Sequence, residues 1–420
     1  MYEMFCCLNR CESPFSLFCY RNQICLSLPK HISRHIMNTL SMPSDTFSSI
    51  NSIIERDKTD TPYKYSLLQS VIECCQEYPQ YASLNQQTRR IHIPTGLCVA
   101  KWLIYYYPFF LPGTFIAMKK GESNGNRQIS FRPLFEEVCR YYEEHGGLSV
   151  FYDELVSGSV SEEIRDTLAK LISQIRYTIT DNPMRHLGYS QTGKEYSVFS
   201  LEKKPAAIKK SDTLSLQLLI ERCGSFSISS ELYSVFRELG GFIIGSGCIA
   251  QKWMEFLQRQ NTDSGITDGE LMERFSMYPV SERNVSDAAK VFHEMIRTGK
   301  CSCVWSGRKL DGSTLAIDHL LPFAVWRCND LWNLIPSDTK VNLRKSDSIP
   351  DPQFLQERKK EILECWDLMY TTYPERFQRE IMVGLLGGVF MDNWKKRAFE
   401  RLCETARYLI GTRGYTDWRN

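Results

Sequence analysis

Apolar positions recur at helical spacing along most of this chain. Residues 63–77, 94–107 and 131–144 place them three and four apart, which predicts helices with one face turned to a core. Residues 161–178 repeat the pattern behind Ser161-Glu-Glu, a helix-start signal. Further helices are expected over 214–223, 230–239, 250–260, 267–278 and 285–298, and after Pro352 over 354–370, 374–386 and 394–409. Residues 195–201 read as a short strand and 205–213 as a linker. The stretch 99–118 is apolar and aromatic, but Lys101, Pro108 and Pro112 interrupt it. That predicts a buried helix rather than a membrane span. Its run Tyr105-Tyr106-Tyr107 reads as core rather than as a stack for bases.

Between residues 299 and 352 the pattern changes. Residues 303–310 form a short mixed run, Asp311-Gly312 is a strong two-residue turn, and 314–320 is apolar, so a β-hairpin ending near Asp318-His319 is expected. Pro322 cannot donate to a ladder and stops the strand. Ser337 or Asp338 can cap a helix running through Lys340, Asn342 and Lys345. The unit reads strand, strand, loop, helix. The expected fold is therefore mainly α with an embedded ββα unit, an α+β arrangement. It divides into a Cys-rich extension at 1–45, a helical region at 46–298 with a possible split at 205–213, the ββα unit at 299–352 and a helical region at 353–420.

Composition sets outer limits. The chain has 420 residues, 43% hydrophobic and 24% charged, the balance of an ordinary globular protein of about two to three domains. Its net charge of +2 gives no global attraction for nucleic acid, so any such surface must be local. Basic clusters occur at Lys203-Lys204 with Lys209-Lys210, at Lys340 to Lys345, and at Lys395-Lys396-Arg397, and only the second is tied to candidate chemistry. Sixteen cysteines at irregular spacing, with no secretion signal, read as reduced thiols in a cytoplasm. Five of them crowd into residues 6–25, ahead of His31 and His35. Cys19, Cys25, His31 and His35 are a candidate zinc set, although the Cys-x5-Cys spacing is wide for one. The bland reading is a weakly ordered extension, with Met37 or Met42 as the effective start.

The chemistry concentrates in LAIDHLLPFAVWRCNDLWNLIPSDTKVNLRKSDSIP, residues 315–350. Phosphodiester hydrolysis needs a base for water, a charge facing the leaving oxygen and a grip on phosphate. A neutral imidazole suits the first task, and His319 is assigned to it. Asp318 and Asn342 offer oxygen ligands, one anionic and one neutral, which suit one Mg²⁺ or Mn²⁺ ion rather than zinc. Asn333 is assigned to orienting the His319 loop through hydrogen bonds to backbone. Lys340, Arg344 and Lys345 are candidate phosphate contacts. A lone Asp-His pair is ordinary core or surface. The conjunction of DH, P, LWNL and N-x-x-K-S-D is what points to one reaction.

The segment resembles the HNH, or ββα-metal, endonuclease family. Asp318, His319, Asn333 and Asn342 fall on its motif positions, and Lys-Ser-Asp and Ile-Pro follow, as in the HNH domain of CRISPR RNA-guided nucleases. Asn342 stands where the family often has histidine, and an amide oxygen can fill a ligand position. The paired Cys-x-x-Cys motifs that hold a structural zinc in many relatives are replaced by a single Cys301-x-Cys303, so no structural zinc is expected. Segments such as TPYKYSLL from Thr61 and VAKWLIYYYP from Val99 look like bacterial HNH proteins of restriction or phage-defence type. The resemblance implies a DNA substrate, a defence setting and further subunits of a defence system, with no membrane partner. Alternatives are a nuclease for RNA or structured nucleic acid, a homing-type endonuclease, and a non-catalytic DNA-binding subunit. No P-loop and no G-x-S-x-G occurs, so the chain is not itself a P-loop motor, and if restriction is its role, modification or targeting would come from another chain.

Overall fold

A computed structural model describes residues 60–187, 197–245, 248–262, 264–277, 279, 285–326, 328–388 and 390–420. The Cys-rich extension and its candidate zinc set lie outside the described residues. The buried side chains fall into two clusters, one spanning Tyr65 to Leu271 and the other Ala288 to Leu409.

The first cluster is built on helices Tyr63–Glu77, Thr95–Tyr106, Arg132–Glu143 and Glu162–Asp181. The last shows how sequence sets an element. Ser161 Oγ accepts from the Glu163 amide at 3.4 Å, two glutamates sit at the positive end, and Leu168, Leu171, Ile172, Ile175 and Ile179 form the buried stripe. Tyr106 and Tyr107 are wholly buried and pack among aromatic rings, so the tyrosine run serves the core. No helix among the described residues is long and apolar enough to cross a membrane.

A four-stranded antiparallel sheet completes this half, in the order β1 (Ser83–Asn85), β2 (Arg90–Pro94), β4 (Ser225–Ser229), β3 (Ser200–Lys203). Ile91 opposite Ile228 and Ile93 opposite Phe226 face the core. Three of these strands escaped the sequence reading because each has at most five residues and only one or two large apolar side chains among polar ones. The linker at 205–213 does not split the half. Leu187 and Phe199 before it share one core with Leu214 and Leu219 after it, and the Ala206 amide donates to Arg222 O at 2.8 Å.

In the second half the expected boundaries shift. Helix Ser286–Arg297 packs its buried Ala288, Val291 and Phe292 into the core that holds the Asp-His segment, so the unit opens before residue 299. The helices after Pro352 are walls of that core rather than an appendage. Trp366 of helix Lys359–Thr372 donates its indole N–H to Trp332 O at 2.7 Å and stacks on Trp394 of helix Trp394–Gly411.

The expected hairpin is replaced by another pairing. β5 (Leu315–His319) runs antiparallel to β6 (Leu334–Asp338), with Leu315 opposite Asp338 and His319 opposite Leu334. Residues 301–310 turn back on themselves instead, with Gly307 at φ +71° and Cys303 N donating to Arg308 O at 2.8 Å. Pro336 has no N–H to donate to a ladder. It is accommodated because β6 has a single strand partner, and the Pro336 carbonyl accepts from Val304 N at 3.0 Å.

Candidate active site

Asp318 and His319 are the last two residues of β5, and neighbours on a strand normally face opposite ways. Here the strand ends, and both side chains line one cleft of about 200 Å³ together with Pro322, Phe323, Asn342, Leu343, Ser346 and Asp347. The opposite wall is helix Thr339–Lys345. Asp338 caps it, its Oδ1 accepting from Lys340 N at 2.9 Å and Val341 N at 3.3 Å. The helix ends at Ser346, which takes a left-handed φ of +48° and turns Asp347 onto the rim.

The buried Asp318 carboxylate is held from three sides. Oδ1 accepts from the His319 amide at 2.7 Å and from Lys345 Nζ at 3.1 Å, and Oδ2 accepts from the Trp305 indole N–H at 2.7 Å. Lys345 Nζ also donates to His319 O at 2.8 Å. This corrects the phosphate role expected of Lys345. Its side chain is fully buried and its ammonium is already shared between the Asp-His pair, so it does not reach the surface. Lys340 and Arg344 are exposed on the same helix, and Arg344 donates to Asn420 Oδ1 at 3.0 Å.

His319 is also buried. One ring nitrogen, Nε2, lies 3.3 Å from Asn329 Oδ1, and Phe323 packs against the ring with centroids 5.5 Å apart. Asn333 grips the turn behind it, its Oδ1 accepting from Leu321 N at 2.8 Å and its Nδ2 donating to Leu321 O at 3.0 Å. Next to that turn two acids meet. Asp330 accepts from the Trp332 indole at 2.8 Å, and Glu380 accepts from Leu331 N at 2.7 Å and Arg376 Nε at 2.6 Å. Burial, then the charge of Glu380, push Asp330 up to about 7. Trp305, Asn329, Asp330 and Glu380 escaped the sequence reading, because nothing in their spacing marks them. Cys301 and Cys303 are buried free thiols beside β6, and burial pushes Cys301 up to about 11.

The donors facing the cleft are a carboxylate and an amide, with the Ser346 hydroxyl and the Asp347 carboxylate at its edge. Such a set fits a hard cation that keeps several waters.

Comparison with known families divides the chain as its two cores do. Residues 43–275 match the family described as a domain of unknown function, DUF8808, and the chain belongs to it. Residues 303–351 match the family described as HNH endonuclease, so the chain also carries an HNH nuclease-type domain, and Asp318, His319, Asn333 and Asn342 all lie within that match. No curated protein and no solved structure matches the chain.

Proposed function

We propose that this chain is a metal-dependent endonuclease that hydrolyses phosphodiester bonds of DNA through a ββα-metal site. The observation that carries the proposal is the convergence of Asp318, His319 and Asn342, from β5 and the helix after β6, on one cleft. Asp318 and Asn342 would hold one Mg²⁺ or Mn²⁺, which when bound supplies Lewis-acid stabilisation to the phosphate and its leaving oxygen. His319 takes the proton of the attacking water. If Nε2–H donates to Asn329 Oδ1, Nδ1 is the basic nitrogen. Asn333 keeps the turn after His319 in place, and Lys345 donates to the Asp318 carboxylate. Phe323 and the buried setting limit bulk water around the imidazole. Lys340 and Arg344 are the side chains we assign to flanking phosphates.

A restriction or anti-phage setting in a cytoplasm, with a partner chain supplying the target or the signal, is our reading of the wider sequence resemblance. A panel of duplex DNA, single-stranded DNA and RNA in Mg²⁺, Mn²⁺ and EDTA tests the substrate and the ion. Cutting of duplex DNA that EDTA abolishes is expected. Cutting of RNA alone, or cutting that survives EDTA, would overturn the DNA or the metal assignment respectively.

A further inference from the structure

The HNH match ends at residue 351, but the packing around Asp318 continues to the far end of the chain. Residues Asp417–Trp418 form a short strand, β8, that runs parallel to β7 (Ile349–Pro350). Ile349 N donates to Thr416 O and Asp351 N to Trp418 O, both at 2.9 Å. This pairing lays Trp418 over Trp305, with ring centroids 5.4 Å apart and planes at 76°. Phe354 closes the triangle, 5.8 Å from Trp305 and 5.4 Å from Trp418. Asn420 Nδ2 adds a hydrogen bond to Trp305 O at 3.4 Å.

Trp305 is wholly buried, and its one polar atom points at Asp318 Oδ2. An indole N–H donates only, so this contact has one sense. It fixes the rotation of the carboxylate about its bond to Cβ and engages one oxygen. Lys345, 5.9 Å from the Trp305 ring, fixes the other oxygen. Edge-to-face packing of Trp418 in turn fixes the tilt of the indole.

We propose that Trp305, clamped by Trp418 of β8, is a positioning residue that aims the Asp318 carboxylate into the cleft for its cation. The HNH site of this chain is thus completed by a strand 66 residues beyond its sequence match. The inference rests on the metal reading given above. Loss of partners behind metal ligands typically weakens metal affinity about 10–100-fold.

The test is Mn²⁺ binding to the full chain, by calorimetry in the absence of nucleic acid. Asp318→Ala serves as the reference for a lost ligand, and thermal unfolding monitors the fold. Trp305→Phe keeps the ring and removes only the N–H, and it should weaken Mn²⁺ binding at least tenfold. Trp418→Ala should weaken it in the same direction, and Trp418→Phe should restore most of the affinity. If wild type binds Mn²⁺, Asp318→Ala does not, and a folded Trp305→Phe binds as wild type does, the positioning role is refuted and the metal site stands. If Asp318→Ala binds Mn²⁺ like wild type, or wild type binds none, the metal reading falls and this inference with it. Should Trp305→Phe unfold, Trp418→Phe against Trp418→Ala decides, because a purely structural clamp would lower the unfolding temperature without separating the two in Mn²⁺ affinity.

Discussion

Asp318, His319 and Asn342 stood out in the sequence only as a conjunction of residue types at a fitting spacing, and the structure brings all three to one cleft. Lys345 was legible as part of a motif and misjudged in role. A basic side chain at a helix end reads as a phosphate contact, but exposure is set by how the helix lies on β5, which sequence spacing does not encode. Trp305 was invisible for the converse reason, since a tryptophan in a short mixed run reads only as core. Asp330 adds a residue-scale consequence. In the unfolded chain its carboxyl titrates at about 4, whereas in the folded chain it keeps its proton up to about 7. The native state therefore binds more protons across that window, and stability should fall as pH rises from about 4 to about 7. Asp330→Asn retains an acceptor for the Trp332 indole and removes the titration. The unfolding temperature of this variant should lose that slope and exceed wild type at pH 8, and an unchanged slope would place the titration elsewhere.

Helices were recovered closely because the 3.6 period is visible over many residues. Residues 63–77 were expected and Tyr63–Glu77 is found. Strands failed where length and period could not speak. β6 contains Pro336, and the run at 303–310 contains Gly307, whose left-handed backbone turns it away from β5. The strand ending at Asp318-His319 and the helix after Asp338 were placed correctly, but the partner strand β6 follows that pair instead of preceding it. The helix that carries Asn342 has only seven residues, so its cap matters more than propensity does. Asp338→Ala removes the acceptor for two amides and should cost about 1 kcal/mol of stability. It should also weaken Mn²⁺ binding, because Asn342 sits on the helix it starts. Circular dichroism melts and calorimetry read the two effects. Lost stability with unaltered Mn²⁺ affinity would mean that β6 alone places Asn342.

On the scale of the whole molecule, the two cores meet at a turn. Gln80 Nε2 donates to Val383 O at 2.9 Å and Gly384 O at 3.1 Å, and Tyr408 OH donates to Arg237 O at 2.6 Å. Gly387 allows the approach. Its φ is +71°, and a Cβ there would lie 2.2 Å from Gln80 O. Gly387→Ala should therefore destabilise the chain by about 1–3 kcal/mol and separate the unfolding of the halves in calorimetry. A single unshifted transition would show that the junction yields freely. Such a junction was unreadable from sequence, because it depends on groups as far as 304 residues apart.

The role proposed for His319 is that of the base in a metal-dependent nuclease site. Its most direct measurement is nicking of supercoiled plasmid by wild type and His319→Ala in Mg²⁺, Mn²⁺ and EDTA, with folding of the variant checked by thermal unfolding. The assignment predicts cutting by wild type that requires the ion and falls by at least about 100-fold in a folded His319→Ala. Cutting by that variant at the wild-type rate would contradict it.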